Sequence, residues 1–287
     1  MMEKIFVTIG IPVFNAEKFI FKSIVSILNQ TYQNFELIIT DDGSTDSTLE
    51  VIQSFNDSRI KVIADGMNKG ISYRLNQQIN LAQGKYFIRM DADDIMFPDR
   101  IEKQVKFLEN NEKIDAVGTS IVVLDDEDHI IGFREAILLN EYTELFDKIL
   151  FNHPTVAGRI EFFKKFLYSE DLAGVEDADL WIRSFPSSNF EVIKEPLLFY
   201  RDPLVFKLRT YKSRLDKKNK LLKKNEYLKR RFILKQKFII VNKLKMLAAT
   251  LLSKIHLDQL LIAGRNTKEL PNKKEWEKTL NSITDGK

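Results

Sequence analysis

Short apolar, β-branched runs alternating with helix-spaced stretches constrain this chain more than any other feature. Val7–Phe14 is such a run, and Ala16–Gln30 then carries Phe19, Ile20, Ile24, Ile27 and Leu28 at helical spacing. Phe35–Thr40 repeats the pattern before a stretch with Leu49, Val51, Ile52 and Phe55, whose first turn Ser44 or Thr45 is expected to cap. Ile60–Ile63 and Tyr86–Met90 flank a helix that follows Gly70, carries Leu75 and Ile79, and ends at Gly84. This alternation with short links predicts an α/β fold with a mostly parallel sheet and helices on both faces.

After Pro98 a helix is expected through Ile101, Val105 and Leu108, then a hairpin of Ala116–Leu124 and Ile130–Arg134. Further helices are predicted at Glu141–Leu150, Ile160–Phe166 and Asp177–Ser184, with strands near Phe190–Lys194 and Leu197–Tyr200. The length of 287 residues suits one α/β domain with a smaller appendage. Near Pro203 the composition changes: Lys207–Lys245 holds 16 Lys and Arg against only Asp216 and Glu226, a bias hidden by the net charge of +3. The expected division is therefore residues 1–203 and a separate basic, amphipathic helical region, 204–287, with a loosely ordered tail after Pro271. There is no cysteine, so thiolate metal sites and cysteine nucleophiles are excluded. The first residues lack a signal-peptide pattern and no apolar run reaches the roughly 18 residues of a spanning helix, so a cytoplasmic protein is expected.

Polar clusters stand where the strands give out: Asn15, then Asp41-Asp42-Gly43-Ser44, then Asp91-Ala92-Asp93-Asp94. In an open parallel sheet the carboxyl ends of the strands border one crevice, so these clusters should converge. Asp91 and Asp93 repel each other unless a cation or hydrogen-bond donors neutralise them, and oxygen-only ligation suits Mg²⁺ or Mn²⁺. A helix cap is the alternative use of Asp93, Asp94 or Asp99, and a turn with a helix cap is the alternative for the run from Asp41 to Asp46. Glu176-Asp177 precedes an amphipathic stretch and reads either as a dipole-stabilised helix start or as a general base. His153-Pro154-Thr155 is structural or a phosphate or acceptor contact.

The ordered set IPVFNAEKFI, DDGSTD, NKGISYRLN, GKYFIRMDADD, FPDRIEKQVKFLE, HPT and VEDADLWIR resembles a family-two glycosyltransferase of the GT-A fold, similar to bacterial enzymes of capsular and surface polysaccharide assembly. The resemblance covers about the first 200 residues. It implies that Pro12 and Phe14, with Asn15 at the same strand end and Asp42, line the nucleotide base pocket. Asp91 would stand near the donor ribose, Asp93 would bind the divalent metal on the diphosphate, and Asp177 would be the base with Glu176 beside it. Arg74 falls near positions that contact the donor in some relatives. The implied reaction is inverting transfer of one sugar from a nucleotide-diphosphate donor, a UDP-sugar by expectation, to a glycan or lipid-linked glycan. No Gln-x-x-Arg-Trp follows Asp177, which argues against a processive synthase, and the His usual after a pair like Tyr200-Arg201 is missing.

Two other classes compete. A sugar-nucleotide pyrophosphorylase needs a Gly-rich, basic loop after the first strand, which IPVFNAEKF does not offer. A binding protein that kept the fold but lost activity would not need Asp91, Asp93 and Asp177. The basic region reads as a solvated helix or as an anchor for an anionic membrane surface at the inner face of the cell membrane. Nucleic acid is set aside because no base-stacking or groove-reading module accompanies the charges.

Overall fold

The computed structural model describes residues 6–202, 205–257, 259–263, 266 and 270–284. The chain runs β1 (Val7–Val13), α1 (Ile20–Leu28), β2 (Phe35–Asp41), α2 (Thr48–Gln53), β3 (Ile60–Ala64), α3 (Ile71–Leu81), β4 (Tyr86–Arg89), β5 (Ile95–Met96) and α4 (Arg100–Asn110). It continues with β6 (Ala116–Leu124), β7 (Ile130–Arg134), β8 (Ala157–Arg159), α5 (Ile160–Lys165), α6 (Glu176–Ser184) and β9 (Phe190–Arg201). Five helices follow: α7 (Leu208–Lys224), α8 (Glu226–Lys229), α9 (Phe232–Lys254), α10 (Leu260–Ala263) and α11 (Lys273–Thr284).

The strands form one sheet in the order β3-β2-β1-β4-β8-β6-β9-β5, with β7 on β6. β3, β2, β1 and β4 are parallel, β8 runs antiparallel to both β4 and β6, and β9 is parallel to β6. Because side chains alternate along a strand, Val7, Ile9 and Ile11 face Ile20, Ile24 and Ile27 of α1, Ile52 of α2 and Ile101, Val105 and Leu108 of α4. Phe87 faces the other way, into a second core with Leu75 and Ile79 of α3, α5 and α6. Gly10 lets α3 approach on that face, since a Cβ there would sit 2.5 Å from both Gln78 Oε1 and the Phe87 ring. Trp181 anchors α6, parallel to Phe162 and edge-on to Phe151 and Phe190.

Several expectations need correction. α2 starts at Thr48, not after a Ser44 or Thr45 cap. Ser44 Oγ instead accepts from Asn15 N–H at 3.0 Å, and Thr45 N–H donates to Asn15 Oδ1 at 2.8 Å. Between Glu141 and Leu150 only a short 3₁₀ turn forms, Tyr142–Phe146, closed by Glu141 and Glu144 as a capping box. The two late strands are one, β9, whose pairing with β6 slips near Ser120. The basic region is helical, and its Leu221, Leu222, Leu228 and Ile239 pack into the core that holds α6. After Pro271, residues 273–284 form α11, whose Trp276, Leu280 and Ile283 are buried beside β5, β6 and β9. Trp276 stacks on Phe133 at 5.5 Å between ring centroids. Among the described residues, no helix is long and apolar enough to cross a membrane.

Docking of α11 has a measurable cost of removal. Trp276→Ala is expected to lower the unfolding free energy in urea by about 3 kcal/mol, the usual range for emptying a buried aromatic site; an unchanged midpoint would mean that the tail adds nothing to the core.

Candidate active site

The carboxyl edge of β1, β2 and β4 carries three polar turns held by different means. At the β1 end, Pro12 pairs in register with Thr40, and Asp42 N–H donates to Val13 carbonyl at 2.8 Å, so Phe14, Asn15 and Asp42 share a corner. Phe14 is half exposed there, at 49 %. Asn15, with φ 49°, stitches this corner to the 44–45 turn. Asp41 turns inward to the amides of Gly43 and Ser44. Asp42 is buried and accepts from the amides of Lys69 at 2.7 Å and Gly70 at 2.9 Å and from Arg74 Nε at 2.9 Å. Arg74 is itself fully buried, and its remaining nitrogens are taken by Asp65, Gln77 and the Met67 carbonyl. It therefore stands behind Asp42 and fixes that carboxylate, with its donors spent on protein acceptors.

Beyond β4, carboxylate oxygens of Asp91, Asp93 and Asp94 lie within 4.8 Å of one another. Asp94 is buried; one oxygen accepts from Arg201 N–H at 2.9 Å and the other has no hydrogen-bond partner. Burial, then Asp93 and Asp91, push its carboxyl well up. Burial and the adjacent Asp91 likewise push Asp93 up to about 6. The turn is locked from outside: Arg201 Nε donates to the Asp93 carbonyl at 3.0 Å, its other nitrogens reach Asp125 and Asp128, and Ser23 Oγ donates to the Asp94 carbonyl. An oxygen-only group in which burial and mutual repulsion raise the Asp93 and Asp94 carboxyls fits a hard divalent cation such as Mg²⁺ or Mn²⁺.

Glu176 and Asp177 form the first turn of α6. Glu176 is buried and accepts from Gly174 N–H; burial and then Asp177 raise its pKa. Asp177 is half-buried, and Oδ1 accepts from the Ala178 amide at 2.7 Å. Between this turn and the acid cluster stands Arg89, buried at the end of β4, with Nη2 2.5 Å from Asp91 Oδ1. Burial opposes its charge, but Asp91, Tyr168, Asp94 and Glu176 together outweigh it and hold the guanidinium above its ordinary value. The Tyr168 phenol senses the same set: burial raises its pKa, Arg89 opposes, and Glu176, Asp177 and Asp91 add to the rise. The acid cluster and the α6 turn thus share one electrostatic neighbourhood centred on Arg89.

His153 lies inside this neighbourhood rather than lining it. Its Nε2 is 2.8 Å from Tyr168 Oη, and burial, with Arg89 adding to it, depresses its pKa so that the ring is neutral. Tyr168 is clamped through both backbone groups by the Asn76 amide, at 2.8 and 2.9 Å. α7 borders the Glu176-Asp177 turn: Lys217 Nζ donates to the Ala173 carbonyl, and the Lys218 ammonium is depressed by burial, with Asp147 and Asp177 among the charges it senses. Sequence reading missed Arg89, Tyr168 and the α7 lysines. Arg89 had a signal, a cation inside the buried strand Tyr86–Arg89, where charge needs partners.

Comparison with known proteins identifies the family and the fold. The profile described as "Glycosyl transferase family 2" matches residues 8–172. The chain is 35 % identical over 225 residues to an uncharacterized glycosyltransferase of Methanocaldococcus jannaschii, covering 76 % of this chain and 77 % of that one. It is 34 % identical over 221 residues to EpsE of Bacillus subtilis, covering 73 % and 78 %. Among solved structures, the mannosyltransferase PcManGT from Pyrobaculum calidifontis, in complex with GDP-Man and Mn²⁺, superposes with TM-score 0.60 at 14 % identity over 99 % of this chain and 86 % of that one. Residues 1–349 of TarS from S. aureus, in complex with UDP-GlcNAc, also give 0.60, at 16 % identity over 96 % and 80 %. At such identities the likeness establishes the fold, which is GT-A.

The raised Asp93 carboxyl predicts a pH signature. Mn²⁺ must displace the proton from Asp93, so affinity should fall, and binding should release more protons, as the pH drops through about 6. Calorimetry in buffers of different ionisation enthalpy measures the release; Asp93→Asn should reduce it, and pH-independent Mn²⁺ binding by the unaltered protein would contradict the assignment.

Proposed function

Since the chain belongs to glycosyl transferase family 2, we propose that it moves one sugar, with inversion, from a uridine diphosphate sugar to an acceptor hydroxyl in bacterial surface polysaccharide or glycolipid assembly. The observation that carries this reading is the shared neighbourhood of the acid cluster and the Glu176-Asp177 turn around Arg89. Nucleotide-sugar complexes of the two structural relatives support the donor class.

The base would stack at the Phe14 corner and donate its ring N–H to Asp42, which Arg74 and the Lys69 and Gly70 amides hold in place. Asp91 would take the ribose. Asp93, with Asp91 and Asp94 beside it, would hold Mn²⁺ or Mg²⁺, which when bound offsets charge on the departing diphosphate. Asp177 accepts the acceptor proton as the new bond to the anomeric carbon forms and the bond from that carbon to the phosphate oxygen breaks. Burial, then Asp177 beside it, hold the Glu176 carboxyl above its ordinary value.

A pyrophosphorylase would need free amides after β1 for a triphosphate. Here the amides of Asn15, Ala16 and Glu17 are spent on Ser44, Thr48 and Asp46. The proposed address is the cytoplasm, at the inner face of the cell membrane, where a lipid-linked acceptor would be met.

Asp177→Asn should keep metal-dependent donor binding and lose about 10²- to 10⁴-fold in turnover, read as release of nucleoside diphosphate. Undiminished turnover in that variant would remove Asp177 from the mechanism.

A further inference from the structure

α9 contains five lysines and no acidic residue. Ile239, Asn242 and Ala249 form its buried face, with Asn242 Nδ2 donating to Asn219 Oδ1 of α7 at 2.8 Å. At 3.6 residues per turn, Ile233, Ile240, Leu244, Leu247, Leu251 and Ile255 fall on a single line diametrically opposite. All six are exposed, Ile233 at 86 %. The line is about 33 Å long at the helical rise. Lys237 stands within it and Lys243 and Lys254 along its edge, and all three are exposed. A ridge of this composition leaves apolar area in water unless something covers it.

We infer that the outer face of α9 is a membrane-contact surface that lies in the plane of an anionic lipid bilayer. The charge pattern selects this occupant over a second copy of the chain. Two α9 ridges packed on each other would bring lysines together with no acid on either helix to answer them, a mismatch at an isologous interface. An anionic lipid surface answers Lys237, Lys243 and Lys254, and lysine stems can lie along apolar chains while their ammonium groups reach the headgroups. The five lysines also match the absence of a spanning helix among the described residues: α9 would insert its ridge shallowly, without crossing.

The inference deepens the proposed function by naming the surface that meets the acceptor's membrane, and rests on that reading only for the acceptor's address. α9 is fastened to α7, and α7 touches the loop that leads into Asp177 through Lys217 and Ala173. One helix therefore separates the lipid surface from the proposed base.

Flotation of the full chain with vesicles, roughly one part phosphatidylglycerol to two parts phosphatidylcholine, tests the surface. Deleting the region would be uninformative, since α7 to α9 supply core residues. The unaltered protein should float, less so in high salt, and poorly with pure phosphatidylcholine. Leu244→Glu with Leu251→Glu, both at exposed positions, should weaken flotation at least about tenfold, and Lys237→Glu with Lys243→Glu and Lys254→Glu should erase the preference for phosphatidylglycerol. Hydrolysis of UDP-GlcNAc without acceptor should be equal in all three proteins, which reports the fold and sugar chemistry separately from lipid binding. The inference is overturned if the unaltered protein stays at the bottom, if the double variant floats equally well, or if size exclusion shows a dimer that the double variant dissolves without vesicles.

Discussion

Arg89 organises this molecule because a guanidinium at the buried end of a central strand must be answered by carboxylates, and the chain supplies them from both directions. Asp91, two residues on, is paired directly at 2.5 Å. Glu176, from the far half of the chain, contributes through space. Removing one member of a buried ion pair typically costs about 3–5 kcal/mol, because the survivor keeps its desolvation penalty. The same pairing that stabilises the sheet end thus ties the acid cluster to the α6 turn. His153 shows the consequence: beside such a cation, and out of water, an imidazole stays neutral and serves as a hydrogen-bond partner for Tyr168 rather than as a titrating group.

A second tie of this kind holds the corner beyond β1 and β2. Arg74 satisfies Asp42 from behind while two amides at the start of α3 satisfy it from the side. Fixing a carboxylate before a ligand arrives lowers the ordering cost of binding. Gly70, at φ +88°, turns the chain so that its own amide and that of Lys69 both point at Asp42, a backbone conformation that a side chain would strain. The acid cluster follows the same logic, with Arg201 and Ser23 holding its backbone and leaving the carboxyls of Asp91 and Asp93 partly open.

β1, β2 and β4 were legible in the sequence because each buries both faces and reads as an apolar run, followed by the polar turn that ends it. The acid turns were legible because carboxylates crowded at a strand end have few structural uses. What escaped depends on contacts distant in sequence. A lone Asn at position 15 does not announce that it will accept from Thr45 and displace a helix cap. Nor does Glu141–Leu150 show that only one 3₁₀ turn will form, since its apolar spacing fits a helix and tertiary packing of Leu145 and Phe146 decides otherwise. The tail after Pro271 looked loose because its charges dominate its composition, yet Trp276, Leu280 and Ile283 at spacings of four and three make one continuous face.

The C-terminal helices show why composition misleads about domain structure. A basic, lysine-rich stretch appears self-contained on paper, but its inward face is apolar and has only one place to go. Leu221 and Leu222 of α7, Leu228 of α8 and Ile239 of α9 enter the core that also contains Leu180, Trp181 and Ile182 of α6. Burial of each such side chain is worth about 1.5–3 kcal/mol. The helix that presents Asp177 is therefore packed on one flank by strands of the sheet and on the other by the basic helices. The outer face of α9 and the first turn of α6 are thus joined through one packed core.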